Sequence, residues 1–153
     1  MTDDQGSTDG AAGSLLDRVE VMQLINRYGK ALDARDWSAF EEIFTEDAEA
    51  DYSSVLARTR PEQSTLAANA LVHGRSAIVA WLQAARSNGE VLVHFMTNHI
   101  VDELDGDRAR AWNYVHERQG AYGSYQLDAV RTADGWRIAR LVLDLVPRPS
   151  KVR

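Results

Sequence analysis

Glu90-Val91-Leu92-Val93-His94-Phe95-Met96-Thr97-Asn98-His99-Ile100-Val101-Asp102-Glu103-Leu104 is the stretch in which the hydrophobic period of this chain changes. Upstream of it, apolar residues recur at the spacing of one helix face. From Glu90 onward they alternate, as strands require. Residues 91–104 are predicted as a strand, and Asp105-Gly106-Asp107 as the turn that closes it. Residues 108–119 and 122–132 are the next strands. Asp134-Gly135 makes another tight turn into a strand over 136–146, and Pro147 and Pro149 stop the sheet.

Working back toward the N-terminus, Leu15, Val19, Met22, Ile25 and Leu32, with Tyr28 among them, keep helical spacing. Ser14 followed by Asp17 resembles a capping box, so a helix is predicted from about residue 14 to residue 34. Asp36 is placed to cap a short second helix carrying Trp37, Phe40 and Phe44, and residues 48–53 read as a first strand. Residues 54–72, with Pro61, read as loop or short helix. His73-Gly74-Arg75-Ser76 opens a third helix bearing Ile78, Val79, Trp81 and Leu82, and Asn88-Gly89 ends it. Helices followed by an antiparallel meander define an α+β class. The expected organisation is a disordered leader over 1–13, one domain over 14–147 and a flexible tail over 148–153.

A length of 153 residues suits one domain with a real core, and 44% apolar with 26% charged residues is ordinary for a globular chain. No apolar run approaches the ~20 residues of a membrane span. The polar, acidic start lacks a signal peptide's features, so a cytoplasmic location is expected. The absence of cysteine removes disulfides, thiolate metal sites and a thiol nucleophile. A net charge of −6 without a basic aromatic patch argues against nucleic acid.

His94 lies in a run that is apolar on both strand faces, where a polar ring is costly to bury without a hydrogen-bond partner. Alternation puts it on one face with Met96, Asn98 and Ile100, and sends His99 to the other. Asp33 ends the first helix, where a carboxylate opposes the helix dipole. By composition it reads first as an exposed turn residue, since most aspartates are exposed and spacing does not pair it with His94. His73 reads as a turn or cap. His116 shares its face with Trp112 and Tyr114 and suits a pocket or an interface, Tyr28 suits the core or a pocket wall, and Asn98 suits substrate binding or a strand end. Trp81, Trp112 and Trp136 read as core or interface. The histidines lack the i, i+4 pairing with an adjacent acid of common zinc sites, so no metal is expected.

Ala31-Leu32-Asp33-Ala34-Arg35-Asp36-Trp37-Ser38-Ala39-Phe40, with Phe44, Asp47, Asp51-Tyr52, His73-Gly74-Arg75 and His94-Phe95-Met96-Thr97-Asn98-His99, resembles SnoaL-like members of the NTF2-like superfamily. The similarity is closest to the branch of scytalone dehydratase and hexachlorocyclohexane dehydrochlorinase. It implies a cone in which a curved, mostly antiparallel sheet wraps three N-terminal helices and encloses a pocket. Asp33 and His94 fall on that branch's catalytic dyad, with His94 as general base. Tyr52 falls on a tyrosine that polarises a substrate carbonyl through water, and Ser124 and Gln126 on substrate-binding positions. Leu32 stands where scytalone dehydratase has a second pocket tyrosine. Its second pocket histidine falls on His116 or Gln119, depending on register. The dehydrochlorinase's basic residue falls on Leu143.

The implied function is a cofactor-free dehydratase, isomerase or cyclase acting on a small aromatic or polyketide-like molecule, in a homodimer or homotrimer. Imidazole suits proton abstraction near neutral pH, and a carboxylate on its other nitrogen fixes the tautomer. An epoxide hydrolase of this fold needs several carboxylates and an arginine around a water, a set that cannot be assembled on one face here. The remaining alternative is a non-catalytic binding or assembly module.

Overall fold

The computed structural model describes residues 5–58, 70–87, 89, 91–118 and 120–146. In chain order the elements are α1 (Gln5–Ala34), α2 (Phe40–Ile43), β1 (Phe44–Asp51), α3 (Ser53–Arg58), β2 (Leu71–His73), α4 (Arg75–Ala85), β3 (His94–Asp105), β4 (Arg108–Glu117), β5 (Tyr122–Thr132) and β6 (Gly135–Leu145). The strands form one open, curved sheet in the order β2-β1-β6-β5-β4-β3. Every pairing is antiparallel except β1 with β6. That parallel contact joins the first strand to the last and has no local turn to announce it.

The core lies between α1 and the inner sheet face. Val21, Leu24, Ile25, Tyr28, Ala31 and Leu32 of α1 are buried, as are Ala109, Ala111 and Val115 of β4, and Tyr125, Leu127 and Ala129 of β5. The small alanine side chains on this face leave room for larger core residues, and both layers are buried there. Gly29 allows a tight approach to β3: a Cβ there would lie 2.8 Å from the tip of Met96 and 3.7 Å from the His94 Cβ. Gly123 is more constrained, since a Cβ would meet the Asp144 carbonyl oxygen at 2.1 Å.

The helix expected from residue 14 begins at Gln5: no proline precedes Ser14, and a capping sequence inside a continuing helix is silent. At its other end Asp36 N–H donates to Ala31 O at 2.9 Å, with Arg35 left-handed at φ 56°, a Schellman-type stop that holds Asp33 in the last turn. Asp36 caps the following turn, accepting from the Ala39 N–H at 3.3 Å and the Ser38 hydroxyl at 2.7 Å. The segment read as loop or short helix carries the short helix α3, and its end departs from that reading by entering the short strand β2, which pairs with β1. Asn88, expected to cap α4, lies outside the described residues; Gly89 has the left-handed φ of 76°. Among the described residues no helix is long and apolar enough to cross a membrane.

Candidate active site

Asp33 and His94, 61 positions apart, meet where the end of α1 crosses the start of β3. The carboxylate binds twice: Oδ2 accepts the His94 backbone N–H at 2.9 Å, and Oδ1 lies 2.5 Å from His94 Nδ1. One aspartate thereby satisfies the strand's first amide and orients the ring, which offsets its unfavourable place at a helix C-terminus.

The other ring nitrogen faces a second carboxylate. His94 and Glu117 are directly opposite in the β3–β4 register, and His94 Nε2 lies 3.5 Å from Glu117 Oε1. At that separation the contact is long for a hydrogen bond, and it becomes an ion pair when the ring is protonated. The His94 side chain is only 3% exposed, against 23% for Asp33 and 19% for Glu117. Burial pulls the ring's pKa down, but Glu117 and Asp33 on opposite nitrogens outweigh it, and the net shift is upward.

A cluster of phenols adjoins this corner. Tyr28 and Tyr52 hydroxyls are 3.2 Å apart, and Tyr52 stacks on Trp81 at 4.4 Å between ring centroids. Tyr125 meets Tyr28 edge-on at 5.4 Å. Burial pushes Tyr28 up to about 12, and burial with the neighbouring phenols pushes Tyr52 and Tyr125 well above the usual tyrosine value. All three are thus neutral O–H groups near pH 7. The charges of Glu117 and Asp33 reach Tyr125, and those of Glu117 and the buried Arg86 reach Tyr28, so phenols and carboxylates share one electrostatic environment.

Of the residues singled out from sequence, the fold gathers Asp33 with His94 and Tyr28 with Tyr52. The others go elsewhere. Ser124 and Gln126 point to the outer face, because Gly123, Tyr125 and Leu127 are the buried members of the alternation in β5. A shift of one residue exchanges the two faces of a strand, and the core face of β5 belongs to Gly123, Tyr125 and Leu127. His116 is exposed on the outer face against Phe95, ring centroids 6.2 Å apart, and joins Tyr114, Tyr122 and Ser124 in a shallow groove.

Asn98 is exposed with φ 56°, at an irregularity between Thr97 and Ile100 that breaks the alternation of β3. The same irregularity turns Ile100 outward and His99 inward, reversing the expected faces of both. Burial holds the His99 pKa below its usual value. His73 is exposed and pairs with Glu49 at 3.3 Å. Leu32 and Leu143 are buried, as are Trp81 and Trp136, while Trp112 lies on the outer face, edge-on to Tyr114. Gln119 lies outside the described residues.

Glu117, Tyr125 and Arg86 were not found by sequence reasoning. A signal for Glu117 existed: alternation puts it on the buried face of Ala109, Ala111 and Val115. Among the described residues no group of three or more His, Cys, Asp or Glu side chains is arranged to hold a metal ion.

A SnoaL-like domain matches residues 13–142, and the chain belongs to that family. An uncharacterized protein of Mycobacterium tuberculosis is 31% identical over 143 residues, covering 86% of this chain and 87% of that one. Among solved structures, an NTF2-like protein with a cystatin-like fold from Novosphingobium aromaticivorans superposes with a TM-score of 0.73 at 24% identity, over 99% of this chain and 95% of the other. A candidate scytalone dehydratase from the same organism gives 0.70 at 19% identity, over 94% and 93%. At these identities the two structures establish the shared fold.

Proposed function

We propose that this protein is a cofactor-independent enzyme of lyase or isomerase type, a dehydratase, isomerase or cyclase, that moves protons on a small aromatic or polyketide-like substrate. The observation that carries this reading is the double hold of Asp33 on His94, through the backbone amide and Nδ1 together. A merely structural histidine needs one partner. This one has its tautomer fixed on one side and leaves Nε2 as the atom at which a proton is given or taken. The Tyr28 and Tyr52 hydroxyls supply neutral donors for an oxygen on which charge develops. Membership of a family that includes polyketide cyclases and dehydratases supports the same class.

The test is a panel of β-hydroxy ketones and polyphenolic ketones, followed by the gain or loss of conjugation in ultraviolet absorbance. His94→Ala should bring turnover to background. Asp33→Asn should lower it by about 10²–10⁴-fold, the usual worth of positioned acid–base catalysis. Tyr52→Phe should cost roughly tenfold, as loss of one hydrogen bond does. Turnover by His94→Ala at the wild-type rate would remove the proposal.

A further inference from the structure

The site holds one more carboxylate than an aspartate–histidine pair requires, and its position is set by the sheet rather than by a flexible loop. Glu117 ends β4 directly across from His94; its N–H donates to Ala121 O at 2.8 Å, and its C=O accepts from the Gly120 N–H at 2.9 Å. The backbone on both sides of the side chain is therefore fixed. The imidazole is bracketed: Asp33 from α1 on Nδ1 and Glu117 from β4 on Nε2. The phenols within electrostatic reach of this bracket are Tyr28 of α1 and Tyr125 of β5, and the charge of Arg86 after α4 reaches Tyr28. Two carboxylates around one buried ring favour its protonated form.

We propose that Glu117 is a further catalytic residue: the ring of His94 rests as an imidazolium between two carboxylates, and Glu117 receives the proton taken from substrate carbon. This rests on the acid–base reading above and reverses the direction in which the histidine works. The substrate class it fits is a neutral β-hydroxy carbonyl compound. The C–H bond next to the carbonyl breaks, its proton passes to the Glu117 carboxylate, and its electron pair forms the new carbon–carbon double bond. The C–O bond at the next carbon breaks with its electron pair on oxygen, and that oxygen takes the Nε2 proton of His94 and leaves as water. The protein then carries a neutral imidazole beside a protonated glutamic acid. Transfer of that proton across the Glu117–Nε2 contact restores the resting state without an outside base.

The experiment joins a titration to a generic probe of base strength. Nitrogen-15 NMR of the histidine ring should show both His94 nitrogens protonated in the wild type at pH 7, and in Glu117→Gln the titration should move to lower pH. The probe is 5-nitrobenzisoxazole, which a base opens by removing its one C–H proton, with cleavage of N–O to a cyanophenolate. Wild-type turnover should lack the inflection near neutral pH that a histidine base would give, and Glu117→Gln should lose at least about a hundredfold. Glu117→Asp, which keeps the charge, should retain part of it and guards against a folding defect. A neutral His94 in the resting wild type overturns the proposal. So does Glu117→Gln turning the probe over at a wild-type rate along a histidine titration, although that outcome leaves the aspartate–histidine reading standing. No acceleration of the probe by the wild type would overturn both.

Discussion

Two sets of cross-strand ion pairs sit on opposite sides of the same sheet. Outside, Glu103, Arg110 and Asp128 face one another across β3, β4 and β5, with both Arg110 contacts at 3.1 Å. The row continues through Arg140 of β6 to Glu49 of β1, 3.2 Å away, and on to His73 of β2. Inside, His94 and Glu117 face each other by the same kind of register pairing, with Asp33 completing the set. Register alone therefore does not distinguish a site from surface. What differs is water: the outer arginines are about half exposed, whereas the His94 side chain is 3% exposed. Identical geometry is solvated on one face and forced to settle its protonation by its neighbours on the other.

The largest expected effect on stability comes from breaking the inner set. Asp33→Ala leaves a buried ring and a strand-end amide without their acceptor, and should lower unfolding free energy by about 3 kcal/mol, read from the urea midpoint. A loss below a few tenths would mean that the inner set is as solvated as the outer one.

A smaller effect follows from titration of the ring. The folded pKa of His94 lies above its ordinary 6.5, so its contribution is fully present below that pH and drains away as pH rises through the folded value. Wild-type stability should decline over that interval by more than that of His94→Gln, and parallel curves for the two proteins would contradict the raised value. The smallest effect should come from the outer row: Arg140→Ala should cost less than about 1 kcal/mol, and the cost should vanish in 1 M salt. A salt-insensitive loss would show that the row is less wet than its exposure indicates.

How much of this was legible in the sequence depended on how local the cause was. Asp105-Gly106 and Asp134-Gly135 announced their hairpins, and β5 runs over the predicted residues because its alternation is unbroken. The pairing of β1 with β6 left no trace in either segment, since it is a parallel, long-range contact with no turn between the strands to specify it. In the site, Asp33 and His94 came from resemblance, because nothing in their spacing brings a helix end to a strand start. Ser124 and Gln126 went wrong although the strand was right: alternation shows which residues share a face, and the apolar partners Tyr125 and Leu127 show which face is inside. Asn98 and His99 went wrong for a different reason. A left-handed residue within a strand changes the count, and asparagine takes that conformation readily enough to give no warning.

That irregularity between Thr97 and Ile100 divides β3 into two parts that can vary separately. The residues before it are committed to α1 and Glu117 and cannot change phase without turning His94 out of its bracket. The residues after it pair with β4 in the hairpin and meet α1 again at Val101, whose carbonyl accepts from Arg18 Nη1 at 2.9 Å. Deleting Asn98 would restore plain alternation, with His99 following Thr97 and still facing inward beside Val101, so both halves would keep their faces while the pairing with β4 lost its extra residue. The strand thus carries its own correction of phase: one extra residue lets its two halves turn inward faces to different parts of α1.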